Sequence, residues 1–414
     1  MNKIQNANKI EKLISELCPD GVEFKELWKI TNWDKRFNAV DNKKQNKILS
    51  FKHVSAKKLK ELQIKNWNVK LLATWKFDGW TTKEIASLYL NEWEVITIPT
   101  WGSANIKYYN GKFVDSWNLL ASSIDNNILN LKYCYYFLLT KNKIIENLFR
   151  WSWVKHPSMW EILELQIPIP PIKIQEEIVK ILDNFTKLEA ELEAELETRK
   201  KQYEYYRDEM LNIKDYKVEK LKDITEIYLG LTYTPKYVDE GVKFISAQNT
   251  SSDTLDLNNV KYISEEEYKN STSNAKPKRW DILFTRVGSN LGHPVIVDTD
   301  EELCIFVSLG FLRVNKEKVL NSYMKHWMNT DLFWSQVRKN VYGSAKVNLN
   351  TGWLKKFEIW LPTIEKQEEI VKILDEFDKL VNDISEGLPA EIEARRQQYE
   401  YYRNKLLTFK ELKK

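Results

Sequence analysis

The nine residues QEEIVKILD occur twice in the chain, at positions 175–183 and again at positions 367–375. A second block, QYEYYR, occurs at positions 202–207 and at positions 398–403. The two copies are 192 residues apart for the first block and 196 for the second, so the later copy carries four additional residues. Such agreement over two separate blocks indicates a tandem duplication.

Each repeated segment is predicted to form a long helix, because its apolar residues recur every three or four positions, as in the seam of a coiled coil. A seam of this length needs a partner, and we expect each helix to pair with its duplicate. The alternative is that each helix packs on its own globular region. Gly387 and Pro389 are expected to break or kink the second helix. The predicted seam consists of Ile178, Ile181, Phe185, Leu188, Leu192, Leu196, Ile370, Ile373, Phe377, Leu380 and Ile384.

A globular region is predicted before each long helix. Short strand candidates such as residues 95–98 and 282–285 alternate there with helix-like runs. The predicted fold class is therefore α+β, with two mixed α/β domains in tandem, each followed by a long helix. The predicted segments are residues 1–168 (first domain), 169–211 (central helix), 212–362 (second domain) and 363–414 (C-terminal helix). The globular regions have diverged while the helices have not, which suggests two different ligands presented on one scaffold.

Charge separates the helices from the globular regions. The chain carries a formal net charge of +4, whereas both long helices are acidic, which leaves about +10 on the globular remainder. The globular regions should therefore attract the phosphates of a nucleic acid, which the helices should repel. No apolar run approaches the roughly 20 residues of a membrane span, so no membrane partner is expected. Three widely spaced cysteines argue against disulfides, and a cytoplasmic location fits best.

Tryptophan is unusually frequent and glycine unusually scarce, with 16 and 12 residues respectively. Several tryptophans stand where backbone geometry favours glycine, among them Trp93 and Trp280, each directly before a predicted strand. Trp151 and Trp153 lie in a polar segment that ends at Pro157. We raise the hypothesis that some of these positions derive from an opal codon that the cell reads as glycine.

The sequence predicts no catalytic site and no metal site. The chain lacks the Asn/Asp-Pro-Pro-aromatic motif of adenine methyltransferases and the phosphate loop of ATP-driven motors. Four scattered histidines have no metal-ligand spacing. A cryptic nuclease built from Asp20, Glu23 and Lys25 is the enzyme alternative, although these residues fit a surface turn better.

The repeated helical blocks, together with the segment that runs from residue 384 to residue 403, resemble the conserved regions of Type I restriction–modification specificity subunits (the HsdS family). The resemblance implies two target-recognition domains, each reading one half of a bipartite, asymmetric site in double-stranded DNA. It also implies that the conserved helices pair antiparallel as a pseudo-twofold coiled coil that fixes the distance between the domains. Two modification (methylase) subunits and motor–nuclease restriction subunits would be partners, with S-adenosylmethionine, ATP and Mg bound by them. This chain itself would hold no cofactor.

One feature of the central helix fits this family in particular. The four-residue unit LEAE occurs twice in succession, at residues 188–191 and 192–195. Family members vary in the number of such units, and each unit adds about 6 Å of helix, which corresponds to between one and two base pairs. We therefore expect this segment to set the spacer length of the DNA site.

Polar and basic residues in loops after predicted strands are the expected DNA contacts. In the first domain they are Thr81, Thr82, Lys83, Thr100, Ser103, Asn105, Lys107, Arg150, Ser152, Lys155 and His156. In the second they are Thr285, Arg286, Ser289, Asn290, Tyr342, Ser344, Lys346 and Asn348. Two other interpretations remain open: the specificity subunit of a Type II-like fused methylase–nuclease assembly, and a coiled-coil adaptor that binds no DNA.

Overall fold

The computed structural model describes residues 2–35, 37, 44–45, 47–65, 67–77, 79–150, 155–288, 290–341, 348–383 and 385–412, with the side chains of residues 2–8 and 341 excepted. The chain divides into two compact units. The first comprises residues 1–190 and 394–414, and the second comprises residues 191–393. Each unit thus combines a globular region with parts of the long helices.

The first unit is a mixed α/β structure. Its elements in chain order are α1 (Asn2–Leu17), β1 (Glu23–Glu26), α2 (Leu27–Ile30), β2 (Thr31–Trp33), α3 (Ala56–Glu61), β3 (Val69–Ala73), β4 (Gly79–Thr81), α4 (Lys83–Ala86), β5 (Asn91–Pro99), β6 (Lys107–Ser116), β7 (Asn118–Ser123), α5 (Leu131–Thr140), α6 (Asn142–Asn147), β8 (Phe149–Arg150), β9 (His156–Pro157), α7 (Met159–Leu163), β10 (Gln166–Ile169) and the first part of α8 (Ile172–Leu211).

One six-stranded sheet dominates the first unit, in the order β2-β7-β5-β6-β3-β4. Only the β3–β6 pair is parallel among the described pairings of this sheet. The apolar run Val95, Ile96 and Ile98 in β5 is fully buried, because one apolar cluster covers Val95 and another covers Ile96 and Ile98. Burial of such side chains is the main favourable term in folding.

The second unit is also mixed α/β. Its elements are the rest of α8, β11 (Lys217–Lys220), α9 (Leu221–Ile224), β12 (Thr225–Leu229), β13 (Tyr237–Val238), β14 (Val242–Ile245), β15 (Lys261–Ile263), α10 (Glu265–Asn270), β16 (Ile282–Thr285), β17 (Pro294–Ile296), β18 (Leu303–Ile305), β19 (Leu309–Val314), α11 (Asn321–Met328), α12 (Asp331–Val341), α13 (Thr351–Leu354), β20 (Glu358–Leu361), α14 (Ile364–Asn382) and the first turns of α15 (Leu388–Leu406).

The strands of the second unit form two four-stranded sheets instead of one larger sheet. Their orders are β12-β19-β16-β17 and β13-β15-β14-β18. The globular regions therefore differ in sheet architecture, as expected of duplicated segments that have diverged.

In both units, the chain nevertheless begins and ends the globular region with the same kind of strand pair. In the first, β1 pairs antiparallel with β10, and in the second, β11 pairs antiparallel with β20. A one-turn helix and a strand follow β1 and β11 in each case, and a long helix follows β10 and β20. The tandem α/β fold with long helices agrees with the sequence-based fold class.

The first part of α8 packs on the globular core of the first unit. Ile174, Ile178 and Leu182 are fully buried there and follow one another at four-residue spacing. Further along, the ring of Phe185 stacks on Tyr402 of α15, with centroids 5.6 Å apart. Core packing and helix pairing were alternatives in the sequence-based interpretation. In the structure, the first turns of α8 pack on the core, and the next turns contact α15.

The part of α15 in the first unit runs antiparallel to α8. Phe185 contacts Tyr399 and Tyr402, whereas Glu189, one turn further along α8, accepts a 2.6 Å bond from Arg396, which precedes them. The order of the contacts is therefore reversed between the two helices. In the second unit, Tyr206 of α8 packs on Phe377 of α14 at 6.0 Å.

The predicted break in the C-terminal helix is present. Helix α14 ends at Asn382 and α15 begins at Leu388. A Cβ atom on Gly387 would lie 2.5 Å from the carbonyl oxygen of Lys379, so only glycine fits this close approach. Pro389 lies in the first turn of α15, where its missing N–H costs little.

Several predicted seam residues lie away from the helix contacts. Leu188, Ile373 and Leu380 are exposed, whereas Leu182, Leu374 and Val381 are buried although the predicted seam does not include them. The buried residues of the long helices pack against a globular core as well as against another helix, so a single heptad seam does not describe their pattern. Ile181, Leu196, Ile370 and Phe377 pack against the cores, Leu192 is half-buried, and Ile384 lies outside the described residues.

A buried charged cluster in the first unit joins β6 to the segments around residues 34 and 53. His53 contacts Asp115 through Nδ1 at 2.8 Å and Asp34 through Nε2 at 3.1 Å. Burial alone lowers the pKa of His53, but the hydrogen bonds and negative charges of Asp115 and Asp34 outweigh it and raise the pKa to about 9. The imidazole is therefore a cation at neutral pH. The ring of Trp117 stacks on it at 5.4 Å.

Two tryptophans adopt a left-handed backbone. Among the described residues other than glycine, only Ser87, Trp117 and Trp280 have a positive φ, with 59° at Trp117 and 76° at Trp280. Trp93, in contrast, lies within β5 and has no positive φ. Trp151 and Trp153 lie outside the described residues.

Within the described part of the chain, none of the helices combines the length and apolar character that crossing a bilayer requires. Over the same residues, His, Cys, Asp and Glu side chains form no group that could hold a metal ion.

Candidate nucleic-acid interface

Two distant loops meet in the first unit, and both contain predicted DNA-contact residues. The loop after β5 carries Thr100, Ser103 and Asn105. The backbone N–H of Gly102 in this loop donates to the carbonyl of Lys155 at 3.0 Å. Nδ1 of His156 lies 2.7 Å from the carbonyl oxygen of Thr100. The structure therefore brings the segment around residue 100 and the segment around residue 155 into one surface, the first loop pair (residues 100–105 and 155–156).

Other predicted residues of the first unit have local roles. Nζ of Lys107 donates to the carbonyls of Ala73 and Trp75, and so ties β6 to the end of β3. Thr81 is fully buried, and Thr82 caps α4 by accepting a 3.1 Å bond from the N–H of Ile85. Lys83 is exposed. Arg150 forms an ion pair with Glu161, and Ser152 lies outside the described residues.

The second unit contains a corresponding pair of loops. Val287, after β16, forms an isolated bridge with Asn348, and the N–H of Leu349 donates to the carbonyl of Arg286 at 2.9 Å. Asn290 and Asn348 are exposed. This surface is the second loop pair (residues 286–288, 290 and 348–349). Ser289, Tyr342, Ser344 and Lys346 lie outside the described residues.

Two predicted residues of the second unit are buried and support the loops from beneath. Thr285 is almost fully buried, with its hydroxyl 3.5 Å from that of Thr250. The guanidinium of Arg286 donates to the carbonyls of Val307 at 3.0 Å and Leu349 at 3.4 Å, and burial lowers its pKa. Direct contact with a base requires an accessible side chain. Arg286 instead joins the two segments of the second loop pair through Leu349, and Thr285 contacts Thr250 in the interior.

The two loop pairs occupy equivalent places in the duplication. Each begins after a buried strand, β5 or β16, and each is completed by the segment before the short helix, α7 or α13, that precedes the exit strand. Gly102 and Gly288 take positive φ values, 98° and 125°, in the two first loops, and neither has an atom within 4 Å of where a Cβ would lie. Both loops can therefore approach a ligand closely.

The sequence pattern did not single out two buried glutamines that connect the globular regions to the helices. Gln175 and Gln367 belong to the repeated block, but they are polar and so fall outside any apolar seam. Both are fully buried. Their presence at the same position of both copies was the one feature of the sequence that could have indicated their role.

Comparison with known proteins identifies the family. The family model for the Type I restriction modification DNA specificity domain (Methylase_S) matches residues 78–198 and 213–394. The specificity subunit of the Type I restriction enzyme EcoR124I/EcoR124II from Escherichia coli is 34% identical over 308 residues, which cover 70% of this chain and 74% of that protein.

Solved structures show the same fold. The Type I restriction–modification S subunit of M. genitalium superposes with a TM-score of 0.57 at 14% identity, covering 94% of this chain and 96% of that one. A chain from a structure of the type I R-M system gives a TM-score of 0.59 at 11% identity, with coverages of 94% and 97%. The chain belongs to the family of Type I restriction–modification DNA specificity subunits.

Proposed function

We propose that each unit reads one half of a bipartite, asymmetric DNA site through its loop pair. The observation that carries this proposal is the recurrence of a loop pair at equivalent positions of two globular regions that otherwise differ in sheet architecture. Loops at the same position on two different sheets are what we expect of two domains that read different DNA sequences. Their different loop sequences would give the two half-sites different bases.

The accessible residues of the loop pairs suit DNA. The amides of Asn290 and Asn348 can donate and accept at once, which matches the edge of adenine in the major groove. Lys155 in the first loop pair, and Lys83 at the start of α4 outside it, would supply positive charge for phosphates, whose contacts set position but carry no sequence information. Buried residues such as Arg286 would act indirectly, by fixing the loop that presents the amides.

Catalysis is assigned to partner subunits. In this proposal, modification subunits carry S-adenosylmethionine and methylate adenine, while motor–nuclease subunits use ATP and Mg for restriction. The nuclease alternative would need carboxylates that hold Mg, and it gains no support, because Asp20 and Glu23 belong to no group among the described residues that could hold a metal ion. This chain contributes recognition and assembly.

The repeated helices carry a surface suited to a partner that binds twice. The second tyrosine of each QYEYYR block is exposed, Tyr205 by 61% and Tyr401 by 63%. The third tyrosines, Tyr206 and Tyr402, instead pack on Phe377 and Phe185 within their own units. Identical aromatic side chains presented at both copies fit two identical modification subunits, since exposed aromatics are favoured anchors in protein interfaces.

The methylation pattern of DNA tests the function. The chain is co-expressed with its modification subunit, and modified adenines are located by sequencing that detects methylation. We expect one split motif with a fixed gap. Asn290→Ala and Asn348→Ala should each relax discrimination at one base of one half-site by about fivefold or more, because one bidentate amide contact contributes about 1–3 kcal/mol of discrimination.

The control is Asn258→Ala, an exposed asparagine of the second unit outside the loop pair, which should leave the motif unchanged. A contiguous motif, or an intact assembly that binds S-adenosylmethionine without methylating any DNA sequence, would contradict the proposal.

The length of α8 provides a second test. The two LEAE units lie inside this uninterrupted 40-residue helix. Deleting residues 192–195 removes about 6 Å and slightly more than one helical turn, so the remaining faces keep nearly the same orientation. We expect a gap shorter by one or two base pairs, with both half-sites unchanged. Replacing residues 192–195 by four alanines keeps the length and should keep the gap; an unaltered gap in the deletion variant would rule out the spacer role.

A further inference from the structure

A buried glutamine links the first long helix to its globular region. The side-chain N–H groups of Gln175, in the first turn of α8, donate to the carbonyls of Ile128 and Pro170, both at 2.8 Å. Its carbonyl oxygen accepts from the N–H of Asn130 at 2.9 Å. One planar amide thus joins the loop before α5, the end of β10 and the start of α8.

The second unit repeats this arrangement atom for atom. Gln367, in the first turn of α14, donates to the carbonyls of Lys318 and Pro362, both at 2.9 Å, and accepts from the N–H of Leu320 at 2.9 Å. The receiving carbonyls lie in the loop before α11 and at the end of β20. Two globular regions with different sheets therefore retain one identical connection to their helices.

Neighbouring bonds reinforce each connection. In the first unit, the hydroxyl of Tyr133 donates to the carbonyl of Pro168 at 3.0 Å, and that of Tyr136 donates to Asp183 of α8 at 2.5 Å. In the second, the hydroxyl of Tyr323 donates to the carbonyl of Trp360 at 3.1 Å. His326 contacts Asp375 of α14 at 2.6 Å. Because a buried amide that loses a partner is costly, an amide bonded in three directions has one favoured orientation.

We propose that Gln175 and Gln367 are positioning residues for the spacing of the DNA site, since each fixes the angle between a globular region and its long helix. This inference rests on the proposed reading of a split site. A rotation of about 10° acting over about 20 Å, a typical distance within a domain of this size, displaces a loop by about one base pair. Loss of the connection would therefore loosen the gap and leave the half-sites intact.

The test is the distribution of gap lengths in the methylated DNA. Gln175→Glu and Gln367→Glu keep the size and the acceptor oxygen but remove both donors. Each variant should methylate the wild-type half-sites at the wild-type gap and also at gaps one base pair longer or shorter. The control is Leu182→Ala, which removes a buried side chain from the same helix and lowers stability but keeps the connection; it should retain a single gap.

The possible outcomes distinguish failure of the positioning role from failure of the proposed reading of a split site. A wild-type assembly without a split motif would reject the function itself. A wild-type split motif, with a single gap in both glutamine variants, would overturn the positioning role alone. The thermal midpoints of the glutamine variants are compared with that of Leu182→Ala. If neither glutamine variant assembles although Leu182→Ala, with the same thermal midpoint, does, the glutamines have a purely structural role and the positioning role is also overturned. If only one variant assembles, its gap distribution decides.

Trp280 combines a bulky side chain with a backbone geometry that favours glycine. Trp280 is the third residue of a turn closed by a 3.0 Å bond from the N–H of Asp281 to the carbonyl of Lys278. Its φ of 76°, with no positive φ at Arg279, makes this a type II turn, whose third position favours glycine. The indole is 46% exposed, so burial of the ring does not account for the choice of residue.

Trp117 repeats the anomaly in the first unit. It is the single residue between β6 and β7, with a φ of 59° and a side chain 50% exposed. A bulky side chain in this region of the backbone is a conformational outlier. Together with the high tryptophan and low glycine content, the geometry points to glycine at positions 280 and 117 of the protein made in its native cell, by reading of an opal codon as glycine.

Mass spectrometry of the protein isolated from the native cell tests this assignment directly. The peptides that contain positions 117 and 280 should carry glycine, and tryptophan in both would overturn the proposal. In the recombinant chain, Trp280→Gly should raise the folding equilibrium constant roughly fivefold by removing left-handed strain. Trp327→Gly, at a fully buried position without positive φ, should lower it; a loss of stability in both variants would count against the assignment.

Discussion

A single buried amide at the start of each long helix is the interaction on which the arrangement of each unit depends. Gln175 and Gln367 cross-link a loop, a strand end and a helix through three hydrogen bonds each. The polar connection is directional, and so it adds a defined orientation to the non-directional apolar packing of the same helix. The direction in which each globular region leaves its helix is thereby defined, and with it the position of the loop pair.

The two units show which features a specificity subunit retains and which it varies. The entry and exit strands, the one-turn helix and the glutamine connection recur in both. The sheets do not: one unit has six strands in one sheet and the other has two sheets of four. In our proposal, the retained parts serve assembly with partners, and the varied parts serve the reading of different bases.

The sequence predicted local features whose cause is local. The strand at residues 282–285 follows from its apolar β-forming residues, and the break before α15 follows from Gly387 and Pro389. The duplication revealed the long helices because it repeated them. The burial of Thr81, Thr285 and Arg286 was not predictable, because polar side chains are expected to be exposed. In the interior, Thr285 contacts a neighbouring hydroxyl and Arg286 donates to backbone carbonyls. The cluster of Asp34, His53 and Asp115 was likewise hidden, because it joins residues that are up to 81 positions apart.

The most direct test of the account is a chain in which the first globular region, residues 1–168, also replaces the second, residues 212–362, while both long helices stay unchanged. The methylated motif of its assembly with the modification subunit is then determined. If each unit reads independently from a shared helical scaffold, the motif will contain two copies of the half-site contributed by the first unit. A folded assembly that still methylates the original asymmetric motif, or a motif related to neither half-site, would contradict the account.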